Sequence, residues 1–389
     1  MRAFADVGVV GGGPAGARVA EALAAHGTDV VLWDPKAPWE KPCGGGLTAA
    51  LLAIVPEIHE VLPRARSVER VMLAAGRVLV PIQLDRPIHV IARRDLGDWQ
   101  LARARAAGVA VEASGVRAIA RVAGGWAVTL RDGTIRHVRH LVGADGAASL
   151  VRAAAAPTLR VALEPTRITY PDVAVRAEPG PGTGAGAAIT LRFSPGLEGY
   201  AWDFPRPSHH SVGAVVGPGA GGRARLDAEI DALHMTPAER RGAVIGSALY
   251  PLRRHYGQLG GPDFALVGDA AGLADPATGE GITNAFRSAT LAAEAFAADR
   301  SFHRYPRLVK AALEPEFRSA RWLRYLMYNR GWAVKIVEAA SHRPRMVAAA
   351  TCLMNDTNDH QSFATMLVHV MGALLRRDVL GRGLVEQPE

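Results

Sequence analysis

Cysteine is almost missing from these 389 residues: Cys43 and Cys352 are the only two. Two thiols cannot build a disulfide framework, and their scarcity fits a reducing compartment. Lysine is nearly as rare, with Lys36, Lys41, Lys310 and Lys335 alone, so the formal charge of +8 is carried almost entirely by arginine. An Ala-, Gly- and Arg-rich composition is the bland source of that excess; attraction to an anionic partner is the other. Nucleic acid is not expected as that partner, because there is no zinc-ligand pattern, RNA-recognition signature or basic run. Every apolar stretch is broken by Gly, Arg or Asp before it could span a bilayer. Metal-ligand and Ser-His-Asp spacings are also lacking. No metal is expected, and His209, His210 and His342 read as surface or structural residues. The opening residues run directly into a strand and a glycine loop, so no cleaved leader is expected and the location reads as cytoplasmic.

What is present is an apolar content of 49% and a mean hydropathy of +0.07, enough for a large core in one or two domains. The start reads strand (FADVGVV), loop (GGGPAG), helix (ARVAEALAAHG), strand (TDVVLWD), an alternation that predicts a parallel sheet with crossover helices. SVERVMLAAGRVLVPIQL has turn signals but no helical repeat and predicts antiparallel strands. WAVTLRDGTIRHVRHLVGAD predicts a hairpin around Asp132-Gly133. From about 159 to 259 short strands are separated by Gly/Pro-rich breaks, and beyond 280 the pattern is helical. The expected fold is α/β: a Rossmann-like nucleotide domain (1–66, 93–158 and 260–300) interrupted by an antiparallel β domain (67–92 and 159–259), then a helical region (301–389).

Gly11-x-Gly13-x-x-Gly16 lies between a strand and a helix, with Asp34 ending the next strand. In this dinucleotide fingerprint Gly11 makes the tight turn and Gly13 lets a pyrophosphate approach. Gly16 permits close helix packing, and Pro14 and Ala15 open a helix whose N–H groups face the phosphates. Asp34 is placed to accept from a ribose hydroxyl. There is one such fingerprint, so a nicotinamide would dock without a Rossmann domain of its own, or an external electron donor would serve.

Two later segments, LVGADGAASLVR and FALVGDAAGLAD, resemble the Asp-Gly and Gly-Asp segments of the flavoprotein hydroxylase superfamily. That resemblance implies FAD, with Gly268 and Asp269 at the ribityl chain, Asp145 near the pyrophosphate and Arg93 approaching the phosphates. Where the superfamily has an acid four residues after that arginine, this chain has Gly97, with Asp98 beside it.

Three further segments, KPCGGGL at 41–47, GYAWDFP at 199–205 and PATGEGITNA at 276–285, resemble motifs of the geranylgeranyl reductase family, whose members saturate isoprenoid double bonds. The resemblance implies that Gly44 and Gly45 admit the flat flavin ring, with Cys43 at the edge of the ring or substrate channel. It also implies that Gly279, Gly281 and Ile282 form a loop beside the flavin. Cys43 as inert packing is the competing reading. Tyr200, Trp202 and Phe204 alternate along one strand and read either as the wall of a prenyl tunnel or as ordinary core. Glu280 reads either as a proton-handling group or as a complement to a helix N-terminus. Arg206 stands where the family has lysine and is placed to grip a phosphate head group.

In the helical region FRSARWLRYLMYNRGW spaces arginines and aromatics at helical intervals. It reads either as an interfacial helix, peripheral to the inner face of the membrane, or as aromatics packed on the body of the protein. The expected activity is FAD-dependent saturation of a prenyl-type substrate, with NADPH or an electron-donor protein supplying electrons. An oxygen-using aromatic hydroxylase or halogenase is the alternative, and a non-catalytic carrier of a hydrophobic tail is a third reading.

Overall fold

The computed structural model describes residues 4–170, 187–197, 199–215, 228–230, 233, 244–253, 258–329, 332–342, 344, 346–347 and 350–351. Most of the Gly/Pro-rich breaks at 178–188 and 215–224, and the chain from 352 onward with Cys352, lie outside the described residues.

The chain begins with β1 (Phe4–Val10), α1 (Pro14–Ala25) and β2 (Val30–Trp33). It continues through β3 (Gly46–Leu47), α2 (Ala49–Ile54), β4 (Arg66–Ala75) and β5 (Val78–Val90). Next come α3 (Arg93–Ala106), β6 (Ala110–Glu112), β7 (Val116–Val122), β8 (Gly125–Leu130), β9 (Ile135–Gly143) and α4 (Leu150–Ala155). Then follow β10 (Val161–Tyr170), β11 (Ile189–Phe193), β12 (Tyr200–Pro205), β13 (His210–Val215), β14 (Val244–Arg253) and β15 (Phe264–Leu266). The described part closes with α5 (Ile282–Asp299), α6 (Tyr305–Arg324) and α7 (Ala333–Ala340).

Two sheets result. In the first, β6-β2-β1-β9 run parallel, β15 joins β9 in parallel, and β8 and β7 continue antiparallel from β9. β1 and β2 are continuous apolar runs because both faces of a parallel sheet are covered. Val19, Ala20 and Leu23 of α1 share a core with Ala289, Ala292 and Phe296 of α5. The hairpin turns at Asp132-Gly133, with Gly133 at φ +89, and Thr129 faces Ile135 across it.

The second sheet has the order β14-β10-β13-β12-β11-β4-β5-β3. It is antiparallel except where β11 lies parallel to β4. Residues of α7 cover one face of it, Val337 and Ala340 packing with Val71 and Ile82. β3 pairs Gly46 with Val90 and Leu47 with His89. The stretch KPCGGGL, expected within the nucleotide-binding part, thus ends as an edge strand of the second sheet. Its glycines give no strand signal, and its partner lies far along the chain. Among the described residues no helix is long and apolar enough to cross a membrane.

β2 flanks β1 on one side and β9 on the other, so the strand order switches direction at β1. Sheets of this kind bind ligands outside the carboxyl ends of the strands at such a point.

Candidate cofactor and active site

At the end of β1 the chain turns sharply. Gly11 has φ +102, its N–H donates to the Trp33 carbonyl, and a Cβ there would lie 2.4 Å from the Ala144 oxygen. Gly16 sits so close to the loop that its Cβ would fall 1.8 Å from the Gly11 oxygen. Gly13 differs: a Cβ there would meet nothing within 4 Å. Its open side is the cradle in front of α1, whose Pro14 starts the helix without sacrificing a bonded N–H.

That cradle is part of a cleft of about 370 Å³ lined by Gly11–Ala15, Asp34, Lys41, Arg93, Gly97, Gln100, Asp145 and Asp269, a volume in the range of cofactor sites. Asp34 already accepts three backbone N–H groups, Gly12 at 2.7 Å, Lys36 at 2.7 Å and Ala37 at 2.8 Å. A carboxylate has about four acceptor positions, so room for one hydroxyl donor is left.

α3 presents Arg93, Gly97 and Gln100 at i, i+4 and i+7 on one face, and all three line the cleft. The next residue, Arg94, is exposed, and its N–H is held by Glu40 at 3.1 Å. Arg93 is 8% and Gln100 3% exposed. Gln100 Nε2 donates to the Pro14 carbonyl at 3.0 Å, whereas Gln100 Oε1 and Arg93 Nε are buried with no partner among the described residues. One orphaned acceptor and one orphaned donor beside a cradle of free amides fit a ligand carrying both hydroxyls and phosphates, as FAD does. Gln100 escaped the sequence reading, although its spacing from Arg93 was the available signal.

Asp145 lines the cleft, but its carboxylate turns to α4, accepting from Ser149 Oγ, Leu150 N and Val151 N. Burial pushes its pKa up, against those bonds. Asp269 pairs with Lys41 Nζ at 2.5 Å across the end of the cleft. Gly268, at φ +55, donates its N–H to Ser288 Oγ, and its Cβ would meet Ala15 at 2.9 Å. Arg152 ties the Asp145 and Asp269 turns together by donating to the carbonyls of Ala147 and Ala270.

Beyond the Lys41–Asp269 pair a second group gathers. The Phe204 ring would lie 3.3 Å from a Cβ on Gly44 and 3.2 Å from one on Gly46. A Cβ on Gly45, at φ +85, would meet the Ile91 oxygen at 2.2 Å. The side-chain space of these glycines is therefore taken by the protein itself, which by itself favours glycine at all three positions. The Tyr200 hydroxyl donates to the Thr278 carbonyl. Its pKa is raised by burial first and then by the facing charges of Cys43, Asp275 and Glu280.

Asp275 folds the loop by accepting from Ala277 N at 2.9 Å and Thr278 N at 2.7 Å. Gly279 takes φ +75 in that loop, and Gly281 and Ile282 begin α5. Glu280 Oε1 accepts from Thr283 N at 2.6 Å, capping α5, while burial and the neighbouring Asp275 push its carboxyl up to about 7. Both readings of Glu280 thus have a structural basis. Trp202 is buried, its ring 5.7 Å from that of Tyr200, and its Nε1 has no partner among the described residues. Cys43 is half-buried beside the cluster of Leu47, Leu51 and Ile282.

Arg206 does not reach outward for a head group. It is 0% exposed, and it donates to Glu40 Oε1 at 2.5 Å, to His209 Nε2 at 2.9 Å and to the Cys43 carbonyl at 2.7 Å. Glu40 meanwhile accepts the first two N–H groups of α3, those of Arg93 and Arg94. His210 pairs with Asp203 at 2.7 Å.

No family model matches the chain. Among curated proteins it is 30% identical over 325 residues to a menaquinone reductase of Mycobacterium tuberculosis, spanning 75% of this chain and 76% of that one. It is also 30% identical over 300 residues to a geranylgeranyl diphosphate reductase of Rhodobacter capsulatus, with 75% and 74% covered. The chain belongs to the geranylgeranyl reductase family. It is therefore an FAD-dependent oxidoreductase, and the two-sheet fold of this reductase agrees. A geranylgeranyl bacteriochlorophyll reductase-like protein from Thermoplasma acidophilum superposes with a TM-score of 0.70 at 19% identity, covering 97% of this chain and 98% of that one. A flavin-dependent brominase superposes with a TM-score of 0.71 at 17% identity, covering 95% and 99%. At such identities the superpositions show a common fold alone.

Proposed function

We propose that this reductase saturates carbon–carbon double bonds of a prenyl chain, the first sheet holding the cofactor and the second the substrate. One observation carries the reading. The segments 41–47, 199–205 and 276–282, far apart in sequence, meet at one place, through Phe204 on Gly44 and Gly46 and through Tyr200 on Thr278.

Gly13, the first amides of α1, Arg93 and Gln100 hold the phosphates and sugar of FAD, with Asp34 at a ribose. Bound and reduced FAD supplies hydride. An alkene that accepts hydride at one carbon needs a proton at the other. We assign that proton to Glu280, whose carboxyl burial pushes up to about 7. We assign Tyr200, Trp202 and Phe204 to the wall of the substrate site, where they would exclude water, with Cys43 at its edge. Electrons come from outside, through NADPH or an electron-carrier protein.

The test is anaerobic. The flavin-loaded protein is reduced with dithionite and mixed with geranylgeranyl diphosphate or a prenylated quinone, and flavin absorbance and product mass are followed. Reoxidation with two hydrogens added per bond is expected. A flavin that stays reduced until air enters, with no hydrogen added across a panel of prenyl substrates, overturns the proposal in favour of oxygen chemistry.

A further inference from the structure

α6 has two faces of opposite character. Tyr305, Val309, Leu313 and Phe317 are buried, fixing one side against the body. On the other side Arg307, Ala311, Pro315, Arg318, Trp322 and Tyr325 are exposed, at steps of three or four residues, with Lys310 beside them. Trp322 is 58% and Tyr325 39% exposed, and their rings meet edge to face at 6.1 Å. The acids of this helix are engaged: Glu314 pairs with Arg321 and Glu316 with Arg287. Among the described residues no acid pairs with Arg307, Lys310 or Arg318, and these three line a shallow depression with Glu314 and Pro315.

We propose that this face docks on an anionic lipid surface, the three cations meeting headgroup phosphates and Trp322 and Tyr325 entering the interfacial layer. Charge decides the occupant: a row of exposed cations that no described acid pairs, ending in two exposed amphipathic rings, has the chemistry of membrane-interface anchors. Position adds to it. Between the two aromatics Arg324 donates to the Pro276 carbonyl at 3.1 Å, and just past them Tyr328 donates to the Ala277 carbonyl at 2.9 Å. The aromatic end of the stripe therefore holds the loop that carries Glu280, and docking presents that loop to the bilayer. The purpose of docking rests on the prenyl reading above; the binding itself does not.

The experiment uses the full flavin-loaded chain and sedimentation with vesicles of phosphatidylcholine alone or mixed equally with phosphatidylglycerol. Wild type is expected to pellet with the mixed vesicles, to be released by high salt, and to ignore phosphatidylcholine. Removing a cation is worth roughly fivefold, so the variant combining Arg307→Gln, Lys310→Gln and Arg318→Gln should bind on the order of a hundredfold more weakly. Trp322→Ala should weaken binding without abolishing its salt dependence. Reduction of a water-soluble prenyl diphosphate, measured without vesicles, should be unchanged in the triple variant. Failure of that reduction in wild type would count against the prenyl reading and leave docking standing. Docking is overturned if wild type does not bind the mixed vesicles, if the triple variant binds as well as wild type, or if the face binds an acidic electron-carrier protein in their place.

Discussion

Gly13 and Gly16 stand three residues apart and answer to different constraints. A methyl at position 16 would collide with the Gly11 oxygen, whereas one at position 13 would meet no described residue within 4 Å. Gly16→Ala should therefore destabilise the fold, by about 1–3 kcal/mol as overpacking does. Gly13→Ala should leave the melting temperature of the flavin-free protein unchanged while weakening FAD by about tenfold or more, since the methyl fills the cradle. Thermal melts of stripped protein and a flavin titration separate the two; equal FAD affinity in Gly13→Ala and wild type would remove the cradle from the cofactor site. Glu280 makes a second prediction at this scale. Its carboxyl is raised from 4.5 to about 7 in the folded chain, by burial foremost. A raised acid disfavours folding as the unfolded chain ionises, so its contribution is most favourable below about 4.5 and declines as pH rises toward 7. Reduction should likewise fall as pH rises through about 7, if the proton is used. Glu280→Gln keeps an oxygen for Thr283 N and should flatten both profiles, and the pH dependence of turnover and of the urea midpoint checks this.

Between elements, Glu40 and Arg206 join the N-terminus of α3 to β12, β13 and the Cys43 carbonyl. Breaking a buried pair from one side leaves a charge without its partner, so Arg206→Met should cost about 3 kcal/mol or more in urea denaturation. Arg206→Lys should recover only part of this, because one ammonium cannot replace a planar fork that serves Glu40, His209 and Cys43 together. In the double variant Arg206→Met, Glu40→Met, the loss should be smaller than the sum of the two single losses. Additive losses would mean that the two side chains act separately. This contact also shows what a sequence withholds. Arg206 followed an aromatic strand and had the charge of a head-group ligand; its burial depends on Glu40, more than a hundred residues earlier.

Across the whole molecule, the glycine loop, the Asp132-Gly133 hairpin and the alternation of strand and helix were legible because each is written in neighbouring residues. The side of Gly44 and Gly46 that Phe204 occupies, the partner of β3, and the turn of the Asp145 carboxylate toward α4 were not, because each is decided by packing from elsewhere or by a local cap that competes with the ligand. Two sheets pinned together at Glu40 and Arg206 should also melt together. Saturating FAD, at a hundred times its dissociation constant, should raise stability by about 2.7 kcal/mol in one transition. Two calorimetric transitions of which flavin shifts only one would show that the sheets unfold independently. Finally, β15 enters beside β9, and α5 shares the core of α1 only after the second sheet has been laid down. During synthesis, then, β1 and α1 leave the ribosome well before β15 and α5, which complete their enclosure. A chain that stalls inside the second sheet presents the bare apolar faces of β1 and α1 to chaperones and proteases, and it has no half-enzyme to offer.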